Sequence, residues 1–260
     1  MEDLDPQRSR PEHEVRQIQD LERLGLDWDG PVVRQSERLD LYGQAIADLA
    51  SRGLLYECWC TRREIREAAS APHGPEGAYP GTCLRLSRRE RRRRLESGRP
   101  PALRLRAEAA PIDFVDRVLG ARSGAVDDFV VRRGDGVPAY NVAVVVDDHV
   151  QDIGEVVRGA DLLDTTPRQI LLARLLGLHE PAYAHVPLIV GPDGARLAKR
   201  HGAVTLADRE ALGESPRRVV GLLAHSVGLA AADDEELTPR DLVARFEPLA
   251  LPAEPTVFAG

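Results

Sequence analysis

All three cysteines of this 260-residue chain lie in one short stretch, at Cys58, Cys60 and Cys83. An odd number of thiols cannot pair completely within one chain, and in a cytosolic protein such clustering favours a metal site over disulfides. Two thiolates separated by one residue, with a third returning from a loop, can close a tetrahedral Zn²⁺ site if a fourth donor exists. The Pro- and Gly-rich residues 71–81 are therefore expected to form a loop that ties the cysteines together.

Two residues compete for the fourth position of such a site. His73 is the conventional ligand. Tyr79 is an uncommon ligand, although a phenol beside a dication can ionise because the metal favours the charged form. The zinc site would be structural, because its four filled positions leave none open to water or substrate. Buried cysteines without a metal are the alternative.

Apolar periodicity predicts helices and strands that alternate along the chain. The predicted helices are His13–Leu24, a segment from an N-cap at Ser36 to Gly53, Pro167–Leu176 with Thr166 as cap, Pro216–Val227 and Pro239–Phe246. The predicted strands are Leu54–Cys58, Ala102–Arg106, Ile112–Val118, Asp128–Arg132 and Ala184–Val190. The unbroken apolar run Val142–Val146 fits a buried strand and a helix equally. This order indicates an α/β fold with a small insertion at residues 58–115 and a helical end.

The net charge of −7 argues against a protein that is coated in nucleic acid. An RNA enzyme nevertheless needs only a local basic face, and residues 85–94, with seven arginines, offer one. Ser87 and Glu90 form a capping-box pattern that opens a helix at this point. A solvated helix surface is an equally good interpretation of the same arginines.

The chain contains no apolar run near the roughly 18–20 residues that are needed to cross a bilayer. Its first residues, Met1–Asp5, are acidic and lack the apolar core of a secretory signal. With 43% hydrophobic and 30% charged residues, the composition is that of an ordinary globular protein. We therefore expect a cytoplasmic protein without a membrane partner.

Two further segments carry residues suited to binding anions. After the turn at Pro192–Gly194 comes a basic loop in which Lys199 could stabilise negative charge as it develops on a phosphate. Adjacent cations in a surface loop are common, however, and need no function. Arg158 lies where an extended segment should give way to a helix, and its guanidinium matches a carboxylate bidentately. A structural pair of Arg158 with Asp161 or Asp148 is an equally good interpretation.

Taken together, five segments resemble the glutamyl-tRNA synthetase family. They occur in family order and are Met1–Asp5, Asp27–Gly30, Val137–Asp148 with its double aspartate, Val156–Leu163 and Arg196–Arg200. The resemblance implies a class I synthetase with a Rossmann-like catalytic core at residues 1–57 and 116–190. It also implies an inserted, zinc-containing, tRNA-contacting subdomain of the acceptor type at 58–115. A signature loop and a helical region would occupy residues 191–260.

The resemblance also implies roles for particular residues. Glu2 would receive the amino group of glutamate, and Tyr140 and Arg158 would complete the glutamate pocket. The second class I signature would be the loop Arg196, Leu197, Ala198, Lys199 and Arg200, with Lys199 contacting ATP. Ala198 stands where a serine or another small residue is usual, which should matter little if the lysine supplies the charge.

Two features favour, within this family, the type that attaches glutamate to queuosine in the anticodon of tRNA-Asp. The first is the Cys-x-Cys … Tyr-x-x-x-Cys set, which implies zinc bound by Cys58, Cys60, Tyr79 and Cys83 and favours Tyr79 over His73. The second is that the chain ends soon after Lys199, which leaves too few residues for a large anticodon-binding domain. The implied partners are glutamate, ATP with Mg²⁺, and tRNA-Asp containing queuosine. The protein itself is expected to be a monomer.

One departure from the family is serious. The first signature, a His-Ile-Gly-His-like segment on the first strand–helix unit, belongs upstream of the Glu2 segment and is missing from this sequence. Either the natural protein starts further upstream, or the chain is a remnant. Without those histidines we expect weak activity or none, because positioning and charge stabilisation both depend on them. Two other functions remain open: a non-catalytic RNA- or zinc-binding remnant, and a fragment of a glutamyl-tRNA synthetase that charges tRNA-Glu.

Overall fold

The computed structural model describes residues 1–5, 9–61, 63–65, 79–108, 111–195, 197, 202, 205–232, 235–247 and 251–258. These residues form a mixed four-stranded sheet, an antiparallel three-stranded sheet and the helices packed around them. The α/β fold predicted from the sequence is therefore confirmed.

The three-stranded sheet runs in the order β1-β2-β5. Its strands are β1 (Leu55–Cys58), β2 (Ala102–Leu105) and β5 (Phe129–Arg132). Both pairings are antiparallel, and the register shifts between Leu103 and Arg104. All three strands coincide with predicted ones.

The mixed sheet runs in the order β4-β3-β7-β6. Its strands are β3 (Pro111–Asp116), β4 (Gly120–Ala125), β6 (Glu155–Gly159) and β7 (Ala182–Val186). The strands β3 and β4 form a hairpin, whereas β7 is parallel to both β3 and β6. In this register Arg158 on β6 is the direct neighbour of His185 on β7. Neighbouring positions place both side chains on the same face of the sheet.

Three helices contribute buried residues to the main hydrophobic core, and a fourth helix precedes them in the chain. They are α1 (Pro11–Arg23), α2 (Leu39–Ser51), α4 (Tyr140–Val150) and α5 (Thr166–Leu176). The run Val142–Val146, which the sequence left undecided, lies in α4. Val142, Ala143, Val145 and Val146 are all buried, because α4 packs against α2 on one side and α5 on another. A helix buried on more than one side loses the apolar periodicity that would have identified it.

Three local predictions were wrong. The N-cap of α2 is Arg38, and Ser36 lies in a 3₁₀ turn, where the carboxylate of Asp3 accepts hydrogen bonds from its amide and hydroxyl. Thr165 takes the N-cap position of α5, and the hydroxyl of Thr166 bonds Arg158 instead. The predicted strand Ala184–Val190 is two strands, β7 and β8 (Ile189–Val190). Pro187 separates them, because it has no N–H to donate to a sheet.

Four further helices and one further strand lie among the described residues. They are α3 (Arg88–Glu96), α6 (Leu206–Ala211), α7 (Pro216–Ser226), α8 (Pro239–Val243) and β9 (Thr256–Val257), which pairs with β8. Val220 and Ala224 on α7 form a small second core with Ala230 and Leu237. Among the described residues, no helix is long and apolar enough to cross a membrane.

Candidate functional site

Glu2 is held between two anchored neighbours. The nitrogen of Met1 donates to the carbonyl of Val33 at 2.5 Å, and the amide of Gln35 donates to the carbonyl of Met1 at 3.1 Å. On the other side, Asp3 accepts hydrogen bonds from the amide of Ser36 at 2.8 Å and from its hydroxyl at 2.5 Å. The segment around residues 33–36 therefore fixes the backbone on both sides of Glu2.

The three residues expected to hold glutamate lie together. Burial raises the pKa of Glu2, and the positive charge of Arg158 acts against that effect. Burial and the charge of Glu2 raise the pKa of Tyr140, while the charge of Arg158 and a hydrogen bond with it act in the opposite direction. Each of the three thus interacts electrostatically with the other two. Their roles toward glutamate stay predictions.

The predicted ATP loop is mostly outside the described residues. The residues that fall outside are Arg196, Ala198, Lys199, Arg200 and His201. Leu197 is described and half-buried. The role of Lys199 toward ATP therefore also stays a prediction.

Two neutral side chains, His185 and Thr166, accept hydrogen bonds from the guanidinium of Arg158. Its Nε donates to Nε2 of His185 at 3.1 Å, and its Nη2 donates to the hydroxyl of Thr166 at 2.8 Å. The guanidinium also lies over the ring of Tyr183, with 5.3 Å between its central carbon and the ring centroid. His185 is fully buried.

Two adjacent aspartates at the end of α4 have different environments. Asp147 is buried and accepts hydrogen bonds from Gln35 at 3.2 Å, Arg38 at 2.8 Å and Tyr42 at 2.9 Å. Burial raises the pKa of Asp148 to about 6; the charges of Asp147 and Glu2 add to this, and Arg158 opposes it. The sequence marked these residues only as a double aspartate after an apolar run.

A cavity of about 520 Å³ opens beside this group. Its polar wall includes Glu2, Asp147 and Asp148, and its apolar wall comes from α1, α4 and the segment that follows α1. The apolar residues in this lining are Ile18, Leu21, Leu26, Trp28, Val32, Val33 and Val144. Tyr140 and Arg158 do not line this cavity, so Glu2 alone of the three predicted glutamate ligands borders it. Its negatively charged wall suits a cationic group such as the ammonium group of an amino acid.

A second group of side chains collects around the cysteines. The sulfurs of Cys58, Cys60 and Cys83 all lie within 4.8 Å of one another. The hydroxyl of Tyr79 lies 3.4 Å from the sulfur of Cys58 and 3.7 Å from that of Cys60. The four predicted zinc ligands are therefore together, whereas the alternative ligand His73 lies outside the described residues.

The surroundings of the three sulfurs favour a thiolate at Cys58 only, because burial raises the pKa of Cys60 and a hydrogen bond with Cys58 raises that of Cys83. The Nε of Arg104 donates to the sulfur of Cys58 at 3.2 Å, and the amide of Trp59 donates to the sulfur of Cys83 at 3.4 Å. A hydrogen bond from Cys83 lowers the pKa of Cys58 to about 4; bonds from Tyr79 and Arg104 add to this, and burial opposes it. Three cysteine sulfurs within 4.8 Å of one another and a neighbouring phenol oxygen are a donor set that fits a tetrahedral zinc ion, which would itself favour the ionised thiols.

The arginine-rich helix α3 has two different faces. The capping box of Ser87 and Glu90 is present, as predicted. Arg91 and Arg94 are half-buried and pair with Glu57 at 3.0 Å and Glu64 at 3.4 Å, on the body of the protein. The other four arginines of the helix, Arg88, Arg89, Arg92 and Arg93, are exposed. They occur as two i, i+4 pairs, so that each pair lies along one line of the helix surface.

Comparisons with known proteins agree on one family. Residues 1–256 match the family described as class I tRNA synthetases (E and Q), catalytic domain. The glutamyl-Q tRNA(Asp) synthetase of Nocardia farcinica is 58% identical over 258 residues, which are 99% of this chain and 81% of that protein. The glutamate–tRNA ligase of Coprothermobacter proteolyticus is 37% identical over 99% of this chain and 56% of its own length.

A solved structure agrees with the sequence comparisons. The crystal structure of a glutamate tRNA ligase from Elizabethkingia meningosepticum, in complex with its amino acid, superposes with a TM-score of 0.79 at 26% identity. The match covers 100% of this chain and 59% of the ligase. The chain thus spans about three fifths of the length of that solved structure.

Proposed function

The chain belongs to the family of class I tRNA synthetases for glutamate and glutamine, and we propose that it is a ligase that activates glutamate with ATP. In the first step, the α-carboxylate of glutamate attacks the α-phosphate of ATP, which forms glutamyl-adenylate and releases pyrophosphate. In the second step, a hydroxyl of queuosine in the anticodon of tRNA-Asp attacks the activated carbonyl and releases AMP. No nucleophile from the protein is required.

The observation that carries this proposal is the grouping of Glu2, Tyr140 and Arg158. An amino acid needs a carboxylate near its ammonium group and a guanidinium near a carboxylate, and these residues supply both within one electrostatic neighbourhood. In the proposed site Lys199 and Mg²⁺ would oppose the negative charge that develops on the phosphate. Two relatives named glutamyl-Q tRNA(Asp) synthetase, at 58% and 51% identity, support queuosine as the acceptor.

A second candidate function is the charging of tRNA-Glu at its 3′ end. Relatives named glutamate–tRNA ligase, at 37% and 38% identity, favour it. Those relatives are longer, since this chain spans 56% and 55% of them. The two functions share the activation of glutamate and differ in the nucleic acid that accepts it.

We further propose that residues 58–115 form the tRNA-contacting subdomain and hold one structural zinc ion. Cys58, Cys60, Cys83 and Tyr79 would be the ligands. Bound zinc would stabilise the small core around Trp59 and thereby the base of the arginine-rich helix, because Arg91 lies over the Trp59 ring at 5.8 Å.

Two assays test the proposed function. The first measures exchange of labelled pyrophosphate into ATP with glutamate, with aspartate and glutamine as controls; only glutamate should support exchange. The second offers labelled glutamate and ATP together with three RNAs: tRNA-Asp with queuosine, the same tRNA with guanosine at that position, and tRNA-Glu. Label on the first RNA alone supports the proposal, and label on tRNA-Glu supports the second candidate. Absence of exchange with glutamate, both from this chain and from a form extended upstream of Met1, would refute ligase activity and favour a non-catalytic RNA-binding role.

A further inference from the structure

Arg158 is hydrogen-bonded to a series of buried polar groups. The Nε of Arg158 donates to Nε2 of His185 at 3.1 Å, and Nδ1 of His185 lies 2.6 Å from the carboxylate of Asp116. The side chains of His185 and Asp116 are both fully buried. We propose that Asp116 and His185 are positioning residues, which hold the guanidinium of Arg158 in the orientation that binds a carboxylate of glutamate. This inference rests on the proposed function.

The sheet brings the three residues together. Arg158 and His185 are direct neighbours on the parallel strands β6 and β7, and Asp116 ends the next strand, β3, opposite Tyr183. The carboxylate of Asp116 also accepts hydrogen bonds from the backbone amides of Val118 at 3.0 Å and Leu119 at 2.8 Å. A further hydrogen bond comes from the amide of His185 at 3.2 Å. These hydrogen bonds hold the carboxylate of Asp116 in place, and it ends the hydrogen-bonded series that begins at Arg158.

The donors and acceptors determine which ring nitrogen of His185 carries the proton. Burial acts to raise the pKa of Asp116, but the hydrogen bonds from His185, Leu119 and Val118 outweigh it, and the pKa lies below its usual value. The ionised carboxylate can only accept, so Nδ1 of His185 must carry the proton. Arg158 can only donate, so it requires the lone pair that remains on Nε2.

The neutral state of His185 agrees with this arrangement. Burial lowers the pKa of His185, and the charge of Arg158 lowers it further, while the hydrogen bond and charge of Asp116 oppose both. The imidazole is therefore uncharged at neutral pH, with one donor and one acceptor on opposite sides. The protonated Nδ1 donates to Asp116, and the unprotonated Nε2 accepts from Arg158.

The consequence for Arg158 is a loss of rotational freedom. His185 fixes Nε, and the hydroxyl of Thr166 fixes Nη2 at 2.8 Å. The ring of Tyr183 covers one face of the guanidinium, and it stacks on His185 with an interplanar angle of 13°. The remaining N–H groups can then meet a carboxylate without first ordering the side chain. A preorganised guanidinium binds more tightly, because that ordering no longer opposes binding.

Two substitutions separate the two hydrogen bonds of His185. In His185→Gln the side-chain oxygen can reach the position of Nε2 and accept from Arg158, but the bond to Asp116 is lost. In His185→Asn the amide can reach the position of Nδ1 and donate to Asp116, but the imidazole acceptor for Nε of Arg158 is lost. Both variants replace the ring by an uncharged amide, so they are matched in polarity.

The test is glutamate-dependent pyrophosphate exchange by the full chain, with KM measured separately for glutamate and for ATP. We expect His185→Asn to raise the KM for glutamate about 10- to 100-fold, with the KM for ATP unchanged, since one charge-assisted hydrogen bond is lost. His185→Gln keeps the acceptor for Nε of Arg158 and loses only the bond to Asp116, so its KM for glutamate should rise by a smaller factor, about threefold. An unchanged KM for glutamate in His185→Asn would overturn the inference, and so would an equal rise in both KM values.

A measurement without catalysis keeps the inference separate from the proposed function. If the parent protein shows no exchange with glutamate, the proposed function fails, and the ¹⁵N spectrum of His185 still tests the arrangement. We expect a protonated Nδ1 and an unprotonated Nε2, together with an Arg158 Nε–H that exchanges slowly with water. In His185→Asn the Arg158 Nε–H should exchange rapidly. A proton on Nε2 in the parent would refute the inference, whatever the activity.

Discussion

The hydroxyl of Tyr42 lies 2.9 Å from both carboxylate oxygens of Asp147, at the place where α2 packs against α4. Both side chains are buried, and Arg38 and Gln35 complete the shell of donors around the carboxylate. Through Gln35, whose amide bonds Met1, the same carboxylate is linked to the segment that carries Glu2. Asp147 thus connects the packing of α2 against α4 to the position of Glu2, which is predicted to bind the amino group of glutamate.

Removing the hydroxyl of Tyr42 should therefore destabilise the protein. We expect Tyr42→Phe to lower the free energy of unfolding by about 1.5–3 kcal/mol, because the hydrogen bond is buried and its acceptor is charged. Urea denaturation followed by circular dichroism gives this value. Tyr183→Phe is the matched control, since burial and nearby charges, but no hydrogen bond to a described residue, act on the Tyr183 hydroxyl. Its loss should change the free energy of unfolding by less than about 0.5 kcal/mol. Equal effects of the two substitutions would contradict the prediction.

The raised pKa of Asp148 predicts that its replacement stabilises the protein at neutral pH. Its pKa is about 6 in the folded protein and 3.8 ordinarily, so the folded state holds a proton that the unfolded state has released between these values. Stability from this group is therefore present below pH 4, and it is lost as the pH rises through 6. We expect Asp148→Asn to be more stable than the parent at pH 7 by about 1–2 kcal/mol, after discounting for partial exposure, and to match it near pH 4.

Denaturation curves at pH 4, 5, 6 and 7 measure this difference. Asp113→Asn, at an exposed position on β3, controls for the loss of one negative charge. A constant difference between Asp148→Asn and the parent across this range would refute the prediction. If glutamate binds as proposed, Asp148→Asn should also weaken its binding at pH 7, because the ammonium group loses a nearby negative charge. Stability and ligand binding would then change in opposite directions.

The fold was largely predictable from the sequence, because apolar residues recur in it with the period of a strand or a helix. In β3 every second residue is buried or half-buried, and α7 buries Val220, Gly221 and Ala224 along one face. The run Val142–Val146 was not assignable, because α4 is buried on more than one side. Ser36 and Thr166 looked like caps, but each is engaged by a partner distant in sequence, Asp3 and Arg158 respectively. Residue type alone cannot distinguish these uses of a hydroxyl.

The candidate site was predictable only in part. Glu2, Tyr140 and Arg158 were identified by the order of segments that resemble a family, and they do lie together. The supporting residues were not identified, because their partners are far apart in sequence. His185 and Asp116 are separated by 69 positions, and Tyr42 and Asp147 by 105. Such pairs depend on the register of strands and the packing of helices, neither of which has a local signature.

Removal of zinc should expose three thiols and destabilise the small core around Trp59. The chain has only three cysteines, so titration with a thiol reagent reports on this cluster alone. We expect about one zinc ion per chain by elemental analysis, slow reaction of the thiols before chelation, and reaction of three thiols after it, with a lower melting temperature. A protein without zinc, with thiols unaffected by chelator, would refute the site.

The place of Tyr79 in the zinc site can be tested separately. We expect Tyr79→Phe to weaken zinc binding at least about tenfold, because the only oxygen donor of the proposed set is lost. Tyr56→Phe is the matched control: Tyr56 belongs to the same small core, but its hydroxyl bonds Asp128 at 2.6 Å. Zinc affinity should be unchanged in this control. Equal zinc affinities of the parent and Tyr79→Phe would leave the three cysteines as ligands and exclude the phenol.

The exposed arginines of α3 should supply much of the affinity for tRNA. We expect substitution of all four by glutamine to weaken binding of tRNA-Asp about 10- to 100-fold near physiological salt, because each exposed guanidinium can neutralise one phosphate. The slope of log K against log salt concentration should fall by up to about 3. These four residues are Arg88, Arg89, Arg92 and Arg93.

A control with the same change of net charge distinguishes a local surface from general attraction. Four exposed arginines that are scattered over other elements serve this purpose: Arg16, Arg122, Arg132 and Arg240. Their replacement by glutamine should change affinity and salt slope far less, because a phosphate backbone cannot contact all four positions in one binding mode. Substituting Arg91 and Arg94 should mainly lower stability, since they pair with Glu57 and Glu64. If the scattered set weakens binding as much as the helix set, net charge and not α3 governs the attraction.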